Sequence, residues 1–81
     1  MNILEEAQQT IHGERRTLYG PPKEEFPKIA AMWSQILNME VTAQQVILCM
    51  IAGKLLRLST TPTHRDSQID IAGYAGILEE L

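Results

Sequence analysis

The stretch Thr42-Ala43-Gln44-Gln45-Val46-Ile47-Leu48-Cys49-Met50-Ile51-Ala52 decides how this chain folds. Thr42 followed three residues later by Gln45 is a capping-box pattern, in which each side chain satisfies the other's free backbone N–H. It predicts a helix starting at Ala43. Val46 to Ala52 is unbroken apolar sequence, and Leu55, Leu56 and Leu58 carry the helix on to about Ser59. A helix that is apolar all round must be buried on most sides. With 81 residues few helices remain to cover it, so self-association is the expected remedy.

Toward the C-terminus, Thr60-Thr61-Pro62-Thr63 reads as a short connector to a last helix over about 65–80. A connector this short makes the two helices antiparallel neighbours. Ala72, Gly73, Ala75 and Gly76 remove bulk within one turn. Each glycine costs about 1 kcal/mol relative to alanine inside a helix, so another backbone is expected to approach closely there.

Toward the N-terminus, a helix over 22–38 is read from Phe26, Ile29, Ala30, Trp33, Ile36 and Leu37 at 3.6-residue spacing. Pro22 suits its first turn, Glu24 and Glu25 its positive end, and Asn38 its left-handed stop. Pro27 is tolerable if the regular helix begins near Glu24. Residues 13–22, containing Tyr19-Gly20-Pro21-Pro22, read as the main irregular segment. Residues 2–11 read as a short helix with Ile3, Leu4, Ala7 and Ile11 in one stripe, stopped by Gly13. The expectation is one all-α domain over 1–81. It has about four helices around an antiparallel helical hairpin and is completed by oligomerisation, as a homo-oligomer.

Composition narrows the function classes. A formal charge of −3 leaves no basic face for duplex nucleic acid. The apolar run is far shorter than the roughly 20 residues that cross a membrane. Met1-Asn2-Ile3-Leu4-Glu5-Glu6 carries no signal-peptide pattern, and Cys49 is the single cysteine. A cytoplasmic protein without membrane partners is therefore expected. His12 and His64 lack tandem zinc-ligand spacing, and phosphate-loop and dinucleotide glycine fingerprints are absent.

Chemistry concentrates in His64-Arg65-Asp66-Ser67-Gln68-Ile69-Asp70-Ile71-Ala72-Gly73-Tyr74. Asp66, Asp70 and Tyr74 lie four apart and share one helix face. Lys54 and Arg57 share a face of the preceding helix, either as snorkelling side chains or as ion-pair and anion partners opposite Asp66 and Asp70. Arg15, Arg16 and Tyr19 ride beside a helix start, either as solvated arginines with a packed tyrosine or as a clamp for a phosphate or base. Lys23 adds a further cation. The expected ligand-binding set is thus Arg15, Arg16, Tyr19, Lys23, Lys54, Arg57, His64, Arg65, Asp66, Asp70 and Tyr74, with no catalytic residue, metal or cofactor. Ser67 beside His64 and Asp66 has poor geometry for a nucleophilic triad, being contiguous on one helix. Magnesium would enter through Asp66 and Asp70 with Glu24 or Glu25, as carboxylate ligands.

Glu14-Arg-Arg-Thr-Leu-Tyr-Gly-Pro-Pro-Lys-Glu-Glu-Phe26, Ile29-Ala-Ala-Met-Trp33, Val41-Thr42, Lys54 and the His64–Tyr74 stretch together resemble a family of small phage-encoded proteins classed as a domain of unknown function. That family is in turn similar to the MazG-like all-α nucleoside triphosphate pyrophosphohydrolases. Those enzymes hold magnesium with a Glu-x-x-Glu pair on one helix and a Glu-x-x-Asp pair on the next. Here Asp66 and Asp70 keep an acidic pair at a different spacing, and the preceding helix has no Glu-x-x-Glu.

Three readings follow, in descending order. The first is non-catalytic binding of a nucleotide or nucleotide-derived signal, in a phage setting a counter-defence sequestration. The second is a reduced magnesium-dependent pyrophosphohydrolase. The third is a helical protein-interaction module.

Overall fold

The computed structural model describes residues 1–81 and contains five helical segments: α1 (Ile3–His12), α2 (Glu14–Tyr19), α3 (Pro22–Leu37), α4 (Ala43–Thr60) and α5 (Arg65–Glu80). The architecture is all-α, as the apolar periodicities require. Asn2 with Glu5, and Thr42 with Gln45, close reciprocal capping boxes at the starts of α1 and α4. Asn38 ends α3 in the left-handed conformation at φ 52°, which its short polar side chain tolerates.

Two local readings are corrected. Glu14–Tyr19 is helical, although residues 13–22 read as irregular. Gly13 and the Gly20-Pro21-Pro22 turn, with Gly20 at φ +80°, mark its ends rather than its whole length. Pro27 lies inside α3, which begins at Pro22. It stays close enough to the N-terminus to forfeit one hydrogen bond, and its ring is exposed.

α5 is the central element, packing along α1 on one side and α4 on the other, while α3 packs less extensively on α4 and α5. The molecule measures 39 × 30 × 19 Å, so its shortest dimension holds about two helix diameters. Ile11, Phe26, Ala30, Val46, Ile47 and Ile77 form the core, with Trp33, Ile51 and Tyr74 partly buried against it. The close approach at the glycines of α5 is made by a side chain: a Cβ on Gly76 would sit 2.9 Å from Ile11 Cδ1, and one on Gly73 3.4 Å from Ile11 Cγ2. Ser34 fastens the α3–α4 turn, accepting the Val41 N–H at 2.9 Å and donating to the Ala30 carbonyl at 2.7 Å.

Burial along α4 departs from the sequence reading. Of the run Val46–Ala52 only Val46 and Ile47 are buried, because α5 and, less extensively, α3 cover part of the helix and leave the side carrying Leu48, Leu55 and Leu56 open. No helix is long and apolar enough to cross a membrane.

Candidate functional site

α4 and α5 leave the core as a hairpin whose outer end, the mouth at the Thr61–His64 connector, is polar. There Lys54 Nζ lies 3.0 Å from Asp70 Oδ2, the pairing expected from the antiparallel geometry. Arg57 and Asp66 each stand about one turn nearer the connector, exposed and without an ion-pair partner. Tyr74, a turn further in, is half-buried against the core. The hairpin therefore offers one neutralised pair at its base and two unmatched charges of opposite sign at its mouth.

His64 has a structural task at the start of α5. Its Nδ1 accepts the Ser67 N–H at 3.3 Å as the helix N-cap and lies 2.7 Å from Ser67 Oγ. An Nδ1 that accepts the backbone N–H is unprotonated, so the hydroxyl donates to it and the ring proton sits on Nε2. Ser67 is fully buried, so its hydroxyl cannot reach a substrate despite the Ser–His contact.

The other predicted residues lie elsewhere. Arg65 pairs with Glu6 of α1 and donates to the Met1 carbonyl at 3.0 Å. Its hydrogen bond holds the Glu6 carboxyl below the usual carboxylate range, and the arginine's own value is raised in return. At the opposite end of α5, Arg16 grips both oxygens of Glu80 at 2.7 and 2.8 Å. Those two anchors are separated by most of α5, roughly 22 Å of helix. Arg15 forks onto Glu25 at 2.7 and 2.9 Å, its guanidinium 5.4 Å from the Tyr19 ring centre and 5.2 Å from that of Phe26. Tyr19 and Lys23 are exposed at this corner.

The eleven residues thus fall into separate groups: a hairpin mouth, an α1–α5 junction, an α2–α5 clasp and the Arg15 corner. Sequence reasoning missed the acids Glu6 and Glu80, and read Glu25 as a helix-start acid or magnesium ligand; these three hold three of the arginines. The Arg16–Glu80 pair spans 64 residues of sequence, so no local spacing announces it.

The carboxylates do not assemble as a magnesium set within one chain. Glu25 is held by Arg15 and Asp70 by Lys54. Nowhere do three His, Cys, Asp or Glu side chains converge in a metal-binding arrangement.

The chain matches the family described as "Domain of unknown function (DUF6378)" over residues 2–81. The chain belongs to this family. Among its relatives, the "Gene 55 protein" of Mycobacterium phage D29 is 48% identical over 80 residues, covering 99% of this chain and 53% of the relative. The "Gene 55 protein" of Mycobacterium phage L5 is 39% identical over 82 residues, covering all of this chain and again 53% of the relative. The DUF6378 chain thus spans about half the length of these phage proteins. No solved structure matches it.

Proposed function

We propose that this DUF6378 domain binds a small anionic ligand of nucleotide type, without turning it over, at the mouth of the α4–α5 hairpin. The observation that carries the reading is the unmatched pair Arg57 and Asp66 beyond the Lys54–Asp70 ion pair. A phosphate has the unpaired Arg57 guanidinium fork on α4, with the Lys54 ammonium beside it available on exchange of its ion pair with Asp70. Ribose or base donors have the Asp66 and Asp70 carboxylates on α5, with Tyr74 as an apolar wall. In a phage, capture without turnover would serve to withhold a nucleotide messenger from the host.

The test is to mix the protein with a panel of nucleoside triphosphates and cyclic nucleotides in magnesium, then analyse the filtrate before and after heat denaturation. A nucleotide that leaves the filtrate and returns intact on heating is the expected result. Conversion to new products would instead make the domain an enzyme, and magnesium-dependent release of pyrophosphate would make it a MazG-like pyrophosphohydrolase. Arg57→Ala, which removes an exposed side chain with no partner, should abolish capture while leaving the helical spectrum unchanged. Full capture by that variant overturns the assignment of the site.

A second reading, a helical protein-interaction module, is favoured by a different observation. Arg15, Arg16, Lys54 and Arg65 already hold carboxylates, while eight of the twelve exposed large apolar side chains lie between Met32 and Leu56. A panel with no nucleotide captured would favour this module.

A further inference from the structure

The side of α4 turned away from α5 carries Leu48, Cys49, Ala52, Gly53, Leu55 and Leu56, all exposed. Their spacing, i, i+1, i+4, i+5, i+7, i+8, is that of a helix stripe made for packing on another helix. We propose that this face docks on the same face of a second copy of the chain, giving a two-fold dimer through paired α4 helices.

Three observations select a second copy as the occupant. The first is area. A monomeric protein of 9.1 kDa is expected to expose about 4,900 Å², whereas this chain exposes 5557 Å². The excess, about 650 Å², is close to the roughly 800 Å² that each partner gives to a standard interface. The second is shape. Leucines at both ends of the stripe flank the small side chains of Cys49, Ala52 and Gly53, so two antiparallel copies can set leucines of one against the small centre of the other. The third is the purpose of Gly53. Gly73 and Gly76 make room for Ile11 within the chain, but a Cβ on Gly53 would meet nothing within 4 Å. Its helix-weakening effect has no return inside a single chain. The stripe also carries no charge, so identical copies meet without the repulsion that like charges would impose. Gln45 and Ser59 supply a polar rim.

The experiment is mass measurement by light scattering on the eluting chain, from dilute solution up to roughly 100 μM. Interfaces of this size bind in the micromolar range or tighter, so the dimer should dominate at that concentration. The expected mass is about twice 9.1 kDa. Leu55→Glu should return it to that of one chain with the helical spectrum kept, since the side chain is 54% exposed in the monomer. Leu18→Glu, equally tolerable at 67% exposure but on α2, should leave the dimer intact. The Cys49 thiol should react with a disulfide reagent more slowly in the dimer than in the Leu55→Glu chain. A single-chain mass throughout overturns the proposal and leaves the face to another partner. A dimer that survives Leu55→Glu, dissociates with Leu18→Glu, or leaves Cys49 equally reactive overturns it too.

Discussion

The side of α4 that faces α5 carries Val46 and Ile47, both sealed, whereas the opposite side carries Leu48, Leu55 and Leu56, each more than half exposed. The two sides are alike in composition. They differ only in neighbours: α5, with α3 packing less extensively, covers the first side, and no helix of the chain covers the second. The charged residues show the reverse. Along α1, α2 and α5 the arginines find carboxylates on distant elements, and the surface there is closed by the chain itself. A small domain thus completes its polar clasps internally and leaves an apolar face unfinished.

The comparison breaks most sharply at adjacent residues. Ile47→Ala should destabilise the single chain by about 2–5 kcal/mol, since it opens a cavity at a fully buried site. Leu48→Ala, one residue on, should change stability by no more than about 0.5 kcal/mol. Urea unfolding in the Leu55→Glu background reads both on the single chain, and equal losses would mean that α4 has no inner and outer side.

The next largest effect falls on the α5 cap. His64→Ala removes the acceptor of the Ser67 N–H and leaves the buried Ser67 hydroxyl without its partner, for a loss of about 1–3 kcal/mol. His64→Asn, which restores a capping acceptor, should recover part of that loss in the same urea titration.

The glycines sharpen the contrast further. Gly53→Ala should stabilise the single chain by up to about 1 kcal/mol, because the new methyl meets open space. Gly76→Ala should gain less, because Ile11 Cδ1 at 2.9 Å must first move aside. Thermal unfolding of the two variants in the Leu55→Glu background compares them directly.

The smallest effect is expected at the Arg65–Glu6 pair. Its hydrogen bond lowers the Glu6 carboxyl below the ordinary value of 4.5, so the folded state binds that proton less readily than the unfolded chain. The pair's contribution is present above the ordinary carboxylate value and is lost as pH falls through the folded one. Comparing urea midpoints of the native chain and Arg65→Gln from about pH 6 to about pH 3, the gap should shrink on acidification. Added salt should shrink it as well, the pair being open to solvent. A gap that widens toward acid would reverse the assigned sign.

Much of the fold was legible in the residues because helix formation is local. The Thr42–Gln45 box, the Phe26–Leu37 periodicity and Asn38 placed α3 and α4 where they lie, and the short connector set α5 antiparallel to α4. That arrangement also set Lys54 or Arg57 against Asp66 and Asp70, of which Lys54–Asp70 is the pair that closes. Glu14–Tyr19 escaped because six residues are too few to display a period, and the glycine and proline signals around them dominated.

By itself, then, the sequence determined an all-α chain, its main helices, the helix ends at Thr42 and Asn38 and the small-residue surface of α5. Only tertiary structure decided which arginine meets which acid and which half of an apolar helix is covered. The physical reason is range. Caps and helical periods act within a turn, whereas Arg16 and Glu80, or Ile11 and Gly76, meet only after the chain has packed.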